Sequence, residues 1–282
     1  MATEVDLHLH TTNSDGRLTS TELIRLAAGQ GLKVISVTDH DSTEGLAEAY
    51  DAAREFPQMR IIPGIELSTD IPGDEIHMLG YFIKYDDAQF QDTLLRFRRG
   101  RVERAQLMVE KLDSLGIHLE WDRVQAIAGE GSVGRPHIAL AMVEAGYCAE
   151  PQYAFPEYLG RNGLAYVERP KMMPAEAVEM ILAIGGVPVL AHPAYMTDMR
   201  SNIAELVPAG LVGMEVYYSR YKPALVQELA QLAKSHGLIP CGGSDYHALG
   251  NSDEPLPGSQ GPPMETVERL EEAADKLSHT AT

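Results

Sequence analysis

Short apolar runs alternate with longer amphipathic segments near both ends of the chain. The runs at residues 34–38 and 60–67 have the length and β-branched content of buried strands. Before the first of them, Thr19 and Glu22 have the spacing of a capping box, which predicts the start of a helix, and Gly31 predicts its end. The alternation predicts an α/β fold built around a mostly parallel sheet.

The middle of the chain has a different pattern, because no strand-like run occurs between about residues 86 and 168. A long amphipathic segment rich in arginine is followed there by a second one that begins in "GRPHIA", residues 134–139. This pattern predicts a small helical insertion domain, residues 96–168, within an α/β domain formed by residues 1–95 and 169–282. The later elements are predicted as a helix over residues 175–184, strands over 187–191 and 212–217, a helix over 223–236, a strand over 238–242 and a last helix from about residue 265.

Composition limits the possible partners and the location. The chain has 23 lysines and arginines against 41 acidic residues, a formal charge of −18. This charge argues against a basic face that binds DNA, either nonspecifically or at a specific sequence. Two cysteines, Cys148 and Cys241, are too few for a disulfide framework or a thiolate zinc site. Neither a signal-peptide pattern nor a membrane-spanning apolar run occurs. We therefore expect a cytoplasmic protein that does not bind a membrane.

Polar residues with metal-binding chemistry follow or lie within the strand-like runs. In "DLHLHTTNSDG", His8 and His10 are two residues apart, so both point to the same side of a strand. The carboxyl ends of parallel strands form the active sites of α/β barrels, so we expect such residues to converge on one rim. Taken singly, each is also compatible with a strand-end polar residue that bonds to a nearby loop. The other members of the series are Asp15, His40, Glu66, His77, His192, Asp245 and His247.

The motifs "HLHTTNSDG", "VTDHDS", "PGIELS", "EIHML", "AHP" and "GSDYH", in this order, resemble the PHP (polymerase and histidinol phosphatase) family of metal-dependent phosphoesterases. The resemblance covers residues 8–247 and implies a distorted, TIM-like (β/α)7 barrel that binds two to three divalent metal ions. The segment "GRPHIA" and the helical insertion make the chain similar to one branch of the family. That branch contains nucleoside 3′,5′-bisphosphate phosphatases and related 5′-to-3′ exoribonucleases.

The resemblance also implies which residues share an ion. The first metal would be held by His8, His10, Glu66 and Asp245, the second by Glu66, His77 and His192, and the third by Asp15, His40 and His247. Imidazole and carboxylate ligands without thiolate suit Mn²⁺, our first choice, with Zn²⁺, Fe²⁺ or Mg²⁺ as alternatives. The positive charge of the bound metal ions would attract a phosphate to this acidic protein.

The expected nucleophile is a hydroxide that bridges two ions, since metals lower the pKa of bound water. It would attack phosphorus in line, while the metals offset the charge that develops in the transition state. Asp245 and His192 are the candidate catalytic residues. A metal-bound water, the carboxyl group of Asp245 or a nearby histidine could protonate the leaving oxygen, and the sequence does not distinguish among these donors.

A second phosphate on the substrate needs cations away from the metals. Arg135 and His137 are the first candidates, since arginine can bind phosphate bidentately and the start of a helix favours an anion. Arg101 and Arg104 could share one helix face toward the cleft, and Lys171 is a further candidate. Each arginine is also compatible with a solvated charged face, and His137 with a helix-start residue bonded to a loop.

The predicted function is removal of the 3′-phosphate of nucleoside 3′,5′-bisphosphates, such as the conversion of pAp to AMP and phosphate. Release of 5′-mononucleotides from short 5′-phosphorylated RNA is an alternative with nearly the same chemistry. Hydrolysis of L-histidinol phosphate is a second alternative, although it would leave the arginine-rich insertion without a function. A third, a non-catalytic metal-binding module, would not need all nine ligand positions.

Overall fold

A computed structural model describes residues 3–71, 73–129, 131–168, 172–250 and 254–280. Seven strands form one sheet in which each strand is hydrogen-bonded to the next along the chain. The strands are β1 (Val5–Leu9), β2 (Val34–Val37), β3 (Arg60–Ile71), β4 (Asp74–Tyr81), β5 (Val187–Leu190), β6 (Gly213–Tyr218) and β7 (Ile239–Gly243). The α-helices are α1 (Ser20–Gly29), α2 (Gly45–Ala53), α3 (Ala88–Ser114), α4 (Trp121–Ala128), α5 (Arg135–Glu144), α6 (Pro174–Ala183), α7 (Met199–Ala209), α8 (Pro223–Ser235) and α9 (Met264–Thr280).

The sheet is curved into a nearly closed barrel. Its first and last strands meet where Leu9, at the end of β1, pairs in parallel with Tyr246, which follows β7. The His10 N–H donates to the Tyr246 carbonyl over 3.0 Å, and the Asp245 N–H donates to the His8 carbonyl over 2.9 Å. The predicted distorted seven-stranded α/β barrel is confirmed. In the described ranges, no helix has the length and apolar character needed to cross a membrane.

One strand departs from the parallel arrangement. β4 is antiparallel to both of its neighbours, with Ser68 of β3 opposite His77 of β4, and Met78 of β4 opposite Leu190 of β5. β3 ends only three residues before β4 begins, which leaves room for a hairpin but not for a crossover helix. The beginning of β4, rather than its end, therefore lies at the rim of the barrel beside the end of β3.

The barrel is filled with apolar side chains. Leu7, Leu79 and Val189 from three strands pack in one cluster with Val267 of α9. Within the same cluster the fully buried Tyr81 donates from its hydroxyl to the Leu7 carbonyl over 3.0 Å, which connects β4 to β1. Apolar packing therefore holds the barrel together below the polar rim.

Helix α3 connects the barrel to the helical segment that follows. Phe90 and Leu94, near its start, pack with the barrel and its outer helices. Met108 and Leu112, farther along, pack in a separate core with α4 and α5. With 27 residues the helix is about 40 Å long, long enough to run from the base of the barrel past its rim. It continues through the predicted boundary at residue 95, and the division into two domains stays a prediction.

Most predicted elements are present, with ends shifted by one or two residues. The capping box of Thr19 and Glu22 forms at the start of α1. β3 extends to Ile71, beyond the predicted end at residue 67, because its last residues pair with β4. The sequence pattern does not predict α7, which contains Pro208 and has weak periodicity.

We expect Tyr81→Phe to lower the free energy of unfolding by about 1 kcal/mol, because the Leu7 carbonyl then loses a buried hydrogen-bond donor. Denaturant unfolding of chelator-treated protein measures this change without a contribution from bound metal. Tyr153→Phe, at a tyrosine that is 57% exposed, is the control and should leave the stability unchanged. Equal stability of both variants and the wild type would contradict the prediction.

Candidate metal centre

Nine histidine and carboxylate side chains meet at one end of the barrel. Four of the strands that carry them end there, and the β3–β4 hairpin projects beyond it. β1 supplies His8, and the segment after it supplies His10 and Asp15; His40 follows β2, Glu66 lies in β3, His77 in β4, His192 follows β5, and Asp245 and His247 follow β7. Because β4 is antiparallel, His77 reaches this rim from the first half of its strand.

Glu66 lies at the centre of the group and is 1% exposed. Its Oε2 atom is 3.2 Å from Nε2 of both His8 and His10 and 3.1 Å from Nδ1 of His40. Its Oε1 atom is 2.9 Å from Nδ1 of His77 and 3.2 Å from Nε2 of His192. One carboxylate therefore contacts five imidazoles, as a ligand that bridges two ions would.

The first group of ligand atoms fits a metal ion in its spacing. Nε2 of His8 and Nε2 of His10 each lie 3.1–3.2 Å from Oε2 of Glu66 and from Oδ1 of Asp245. Four ligands in a tetrahedron around an ion, at bonds of roughly 2.0–2.2 Å, would be separated by about 3.3–3.5 Å. The four atoms are thus spaced almost as a bound transition-metal ion would space them.

Two further groups overlap the first. Oδ1 of Asp15 is 3.2 Å from Nε2 of His247, and its carboxylate is 3.7 Å from His40 and 3.8 Å from His10. The third group joins His40 and His77 through Glu66. These groups differ from the implied ligand sets, since His10 also faces Asp15, and His40 also faces Glu66. The assignment of each residue to one ion stays a prediction.

The unpartnered polar atoms of the cluster fit a bound cation. Within the described residues, six cluster atoms are buried without a hydrogen-bond partner: His8 Nε2, His10 Nε2, Asp15 Oδ1, His40 Nδ1, Glu66 Oε2 and His77 Nε2. A buried polar atom without a partner is costly, and native proteins avoid it unless water or an ion completes the site. The residues present therefore fit bound metal.

Electrostatics within the cluster hold its carboxylates ionised. Burial raises the pKa of Glu66, but the surrounding histidines, His40 foremost, lower it more, so that it lies well below its usual range. Burial lowers the pKa of His247, yet the charges of Asp15 and Asp245 raise it to about 10. Burial lowers the pKa of His40 to about 3. The ionised carboxylates and the neutral imidazole of His40 are in the forms that bind metals, whereas His247 would release its proton when a metal binds.

Two cluster residues have unusual backbone conformations. His192 has φ of 28° and Asp245 has φ of 55°, although neither is glycine. Such conformations cost roughly 1–3 kcal/mol and persist only where surrounding contacts impose them. Here the His192 N–H donates to Oε2 of Glu215 over 2.7 Å, and the Asp245 N–H is held by the His8 carbonyl. The backbone strain turns both side chains toward the cluster.

Sequence reasoning missed Glu215, a fully buried residue of β6. Its Oε1 atom lies 3.0 Å from Nδ1 of His8, so the carboxylate orients the ring whose Nε2 faces the other ligands. Carboxylates that hold the far nitrogen of a ligand histidine fix its tautomer. The signal was a single acid among apolar residues in "GMEVYY". Tyr218, from the same strand, likewise fixes Asp245 by donating to its Oδ2 over 2.7 Å.

The loop that carries Asp15 is held from two sides. Asp39 accepts hydrogen bonds of 2.7 and 2.6 Å from the backbone and hydroxyl of Thr11, and one of 2.5 Å from the Ser14 hydroxyl. From the insertion, the buried His137 ring accepts the Gly134 N–H over 2.9 Å and is hydrogen-bonded to the Ser14 backbone. His137 therefore contacts the loop, and its role in substrate binding stays a prediction.

Three arginines of the insertion meet acidic side chains beside the cluster. Arg101 donates to Asp41 over 2.7 Å and to the Ser68 hydroxyl over 2.6 Å. Arg135 donates to Glu75 over 2.5 Å. Arg161 donates to Asp70 over 2.6 Å. Arg161 is not among the predicted residues, since its surroundings in the sequence carry no motif. The three arginines, each paired with a carboxylate, form an arginine flank beside the ligands.

The other two predicted substrate residues are placed differently. Arg104 is buried, donates from Nε to the Val167 carbonyl over 2.7 Å and lies over the Tyr166 ring. It therefore packs against the end of the insertion, in contrast to Arg101 one turn earlier. Lys171 lies outside the described residues. Substrate binding by both stays a prediction.

Comparison with known proteins gives a consistent result. Residues 6–147 match the family model of the PHP domain. A 5′-3′ exoribonuclease from Haemophilus influenzae is 36% identical over 253 residues, which cover 88% of this chain and 91% of the relative. A 3′,5′-nucleoside bisphosphate phosphatase from Chromobacterium violaceum is 33% identical over 253 residues, which cover 87% and 88%. A solved amidohydrolase structure from C. violaceum has a TM-score of 0.86 at 30% identity and covers 96% of both chains.

We expect His10→Ala to lower the number of metal ions bound per chain, because His10 faces two of the three ligand groups. Elemental analysis after dialysis against Mn²⁺ or Zn²⁺ measures the content directly. The control is His118→Ala, at a histidine with a side chain that is 70% exposed and bonded to Asp113, and it should retain the wild-type content. A full metal complement in His10→Ala would show that the site is assigned wrongly.

Proposed function

The chain belongs to the PHP family of metal-dependent phosphoesterases, and from this premise we propose that it hydrolyses the 3′-phosphate of nucleoside 3′,5′-bisphosphates. The products would be a 5′-mononucleotide and phosphate. The observation that carries the proposal is the arginine flank of Arg101, Arg135 and Arg161, directly beside the nine-ligand cluster. A substrate with a second phosphate would use both parts of this site.

The nine ligands would hold two to three divalent ions, which we propose to be Mn²⁺. When bound, such ions supply a nucleophile at neutral pH and offset charge on the phosphoryl oxygens. The chain contributes the geometry. Glu215 fixes the ring of His8, and Tyr218 fixes the carboxylate of Asp245, so these ligands are oriented before substrate arrives.

We propose that Asp245 and His192 move the proton to the leaving 3′-oxygen. Burial raises the pKa of Asp245, but His8 and His247 lower it more, so its carboxylate would first accept a proton from the attacking water and then pass it on. The Asp245 and His192 side chains stand on the rim with strained backbones, held by hydrogen bonds to His8 and Glu215. Both are partly exposed, unlike the fully buried His8. A substrate oxygen at the cluster would therefore reach them directly.

A cavity of about 560 Å³ next to the cluster would accommodate the nucleoside. It lies between α3, β3 and α6 and has a polar end at Asp41, Ser68 and Arg101, which is also the end nearest the metal ligands. The rest of its wall includes Phe97 and Met180. Cavities of this volume with apolar walls and a few polar groups are typical of small-molecule sites.

The arginine flank would bind the 5′-phosphate. Arg135 and Arg101 are held in place by carboxylates, which spares part of the entropy that a free arginine would lose on binding. An incoming phosphate would compete with Glu75 and Asp41 for the same N–H groups. The dianion has more charge and more acceptor oxygens than a carboxylate, which favours the exchange.

Cleavage of short 5′-phosphorylated RNA is a second candidate, supported by the exoribonuclease relative. Both reactions break the bond between phosphorus and a 3′-oxygen beside a 5′-phosphate, so one site could serve both. Histidinol phosphate has no second phosphate and leaves the arginine flank unused. The enzymatic activities named for the relatives argue against a non-catalytic metal-binding module.

We expect purified protein with Mn²⁺ to release phosphate from pAp faster than from AMP or histidinol phosphate, because only pAp presents a 5′-phosphate to the arginines and a 3′-phosphate to the metals. A phosphate-release assay across the three substrates, repeated with Mg²⁺ and Zn²⁺, measures this preference. Equal rates on all three would rule out the nucleotide assignment.

Arg135→Ala should lower kcat/KM for pAp by about 10- to 100-fold, the loss typical of a charged hydrogen bond. The loss on adenosine 3′-monophosphate, which lacks the 5′-phosphate, should be small. Arg123→Ala removes another arginine of the insertion, one that pairs with Glu144 on the surface, and should leave both activities intact. An equal loss on both substrates, reproduced by Glu75→Gln, would mean that Arg135 only supports the structure.

A further inference from the structure

Three tyrosines form an aromatic cluster at the rim beside His192. The Tyr195 ring lies 5.8 Å from Tyr218 and 5.9 Å from Tyr221, measured between centroids, and 6.2 Å from the ring of His192. Tyr218 and Tyr221 are buried, whereas Tyr195 is 57% exposed. The cluster therefore presents one open aromatic surface, that of Tyr195, next to a candidate metal ligand.

Tyr195 has its backbone held in place by hydrogen bonds, and its ring packs against those of Tyr218 and Tyr221. It follows His192 in the short helical turn Pro193–Tyr195, in which the Tyr195 N–H donates to the His192 carbonyl over 3.2 Å. The Tyr221 hydroxyl accepts the Ala194 N–H over 3.0 Å. An aromatic ring with a fixed position loses little conformational entropy when a planar group stacks on it.

The tyrosine cluster stands on the segments that follow β5 and on β6, whereas the described bonds of the insertion reach the segments after β1 and β2 and the β3–β4 hairpin. The insertion bonds to the loop after β1 through Ser132 and Asn13, to the segment after β2 through Arg101, and to β4 through Arg135. Tyr195 follows β5, and Tyr218 ends β6. The insertion approaches this side at the tip of the β3–β4 hairpin, where the Asp74 carbonyl accepts from Arg161 and the Asp74 carboxylate accepts the Thr197 N–H. Arg101, which bonds to the segment after β2, and Tyr195, which follows β5, lie three strands apart around the barrel.

Arg220 adds a cation to the tyrosine side. It is exposed and stands in the turn between Tyr218 and Tyr221, which is closed by a hydrogen bond of 2.9 Å from the Tyr221 N–H to the Tyr218 carbonyl. Burial raises the pKa of the Tyr195 phenol, and the nearby charge of Arg220 lowers it. In the part of the chain that the structure describes, its guanidinium makes no ion pair, in contrast to those of Arg101 and Arg135. It is available to a phosphate without first releasing a carboxylate.

We propose that Tyr195 and Arg220 bind the nucleotide on the 3′ side of the phosphodiester that is cleaved. The base of that nucleotide stacks on Tyr195, and the phosphate that follows pairs with Arg220. An aromatic side chain can stack on any base, so we expect this site to have no preference for a particular base. The inference rests on the proposed function, because it takes the scissile phosphate to lie at the nine ligands.

The reaction on RNA balances in the same way as on pAp. Water adds its oxygen to phosphorus, the bond from phosphorus to the 3′-oxygen breaks, and a proton goes to that oxygen. The products are a 5′-mononucleotide with a 3′-hydroxyl and a remaining chain with a 5′-phosphate. Only RNA extends past the scissile phosphate, so only RNA uses Tyr195.

The test compares the 5′-phosphorylated dinucleotide pApA with an analogue that lacks the second base. In the wild type, removal of the base should lower kcat/KM about tenfold, within the range of one stacking contact. In Tyr195→Ala the two substrates should be cleaved at nearly equal rates, and Tyr195→Phe should behave as the wild type does. The control Tyr153→Ala, at a tyrosine that is also 57% exposed, should retain the full effect of the base.

Binding without turnover gives a second readout. A dinucleotide with a methylene group in place of the bridging 3′-oxygen, which is not cleaved, and with 2-aminopurine as its second base is titrated with Mg²⁺-loaded protein, and stacking on tyrosine should quench its fluorescence. The quenching should saturate with the wild type and be absent with Tyr195→Ala. Arg220→Gln should weaken binding of a trinucleotide more than that of the dinucleotide, because only the trinucleotide carries the following phosphate.

The proposal is overturned if removal of the second base lowers kcat/KM by the same factor in Tyr195→Ala as in the wild type. It is also overturned if Tyr195→Ala quenches the 2-aminopurine fluorescence as the wild type does. Failure of the proposed function is a different result, namely a wild type that cleaves neither pAp nor pApA. The fluorescence titration reports on Tyr195 in that case as well.

Discussion

The arrangement of the site depends on one buried carboxylate surrounded by imidazoles. Both oxygens of Glu66 lie 2.9–3.2 Å from ring nitrogens of five histidines, and neither oxygen reaches water. Such a group is costly to bury unless opposite charge balances it. The buried ligand atoms without partners show that the protein alone does not complete this balance. Divalent ions would complete it, which explains why a barrel with an apolar base keeps so polar a rim.

The reversed strand follows from the same requirement. Because β4 pairs with β3 as a hairpin, His77 stands across from Ser68 and close to Glu66. The hairpin also leaves the end of β4 at the base of the barrel. Helix α3 then returns past the rim, packing on the barrel through Leu94 and within the insertion through Leu112. The antiparallel hairpin that places His77 at the rim thus also determines where α3 begins, and α3 brings Arg101 to the cluster.

The rim then has two sides with different chemistry. On one side, arginines are held by carboxylates, so an anion must exchange with an existing partner. On the other, Tyr195 presents an open ring and Arg220 an exposed charge. In the proposed binding mode, a bisphosphate would span only the first side and the metals, whereas an RNA chain would continue onto the second. The balance between the two activities would therefore depend on residues away from the metal ligands.

The sequence by itself determined the α/β alternation and the capping box of α1, because these are properties of neighbouring residues. The order of its motifs indicated the nine candidate ligands and, through the family resemblance, the barrel. Tertiary structure alone decided the direction of β4, the part of Glu215 in orienting His8, and the different surroundings of Arg101 and Arg104. It also decided that Tyr195 faces the cluster. Periodicity reports which side chains share a face of one element, but it does not report which elements meet, since that depends on contacts between residues far apart in the chain.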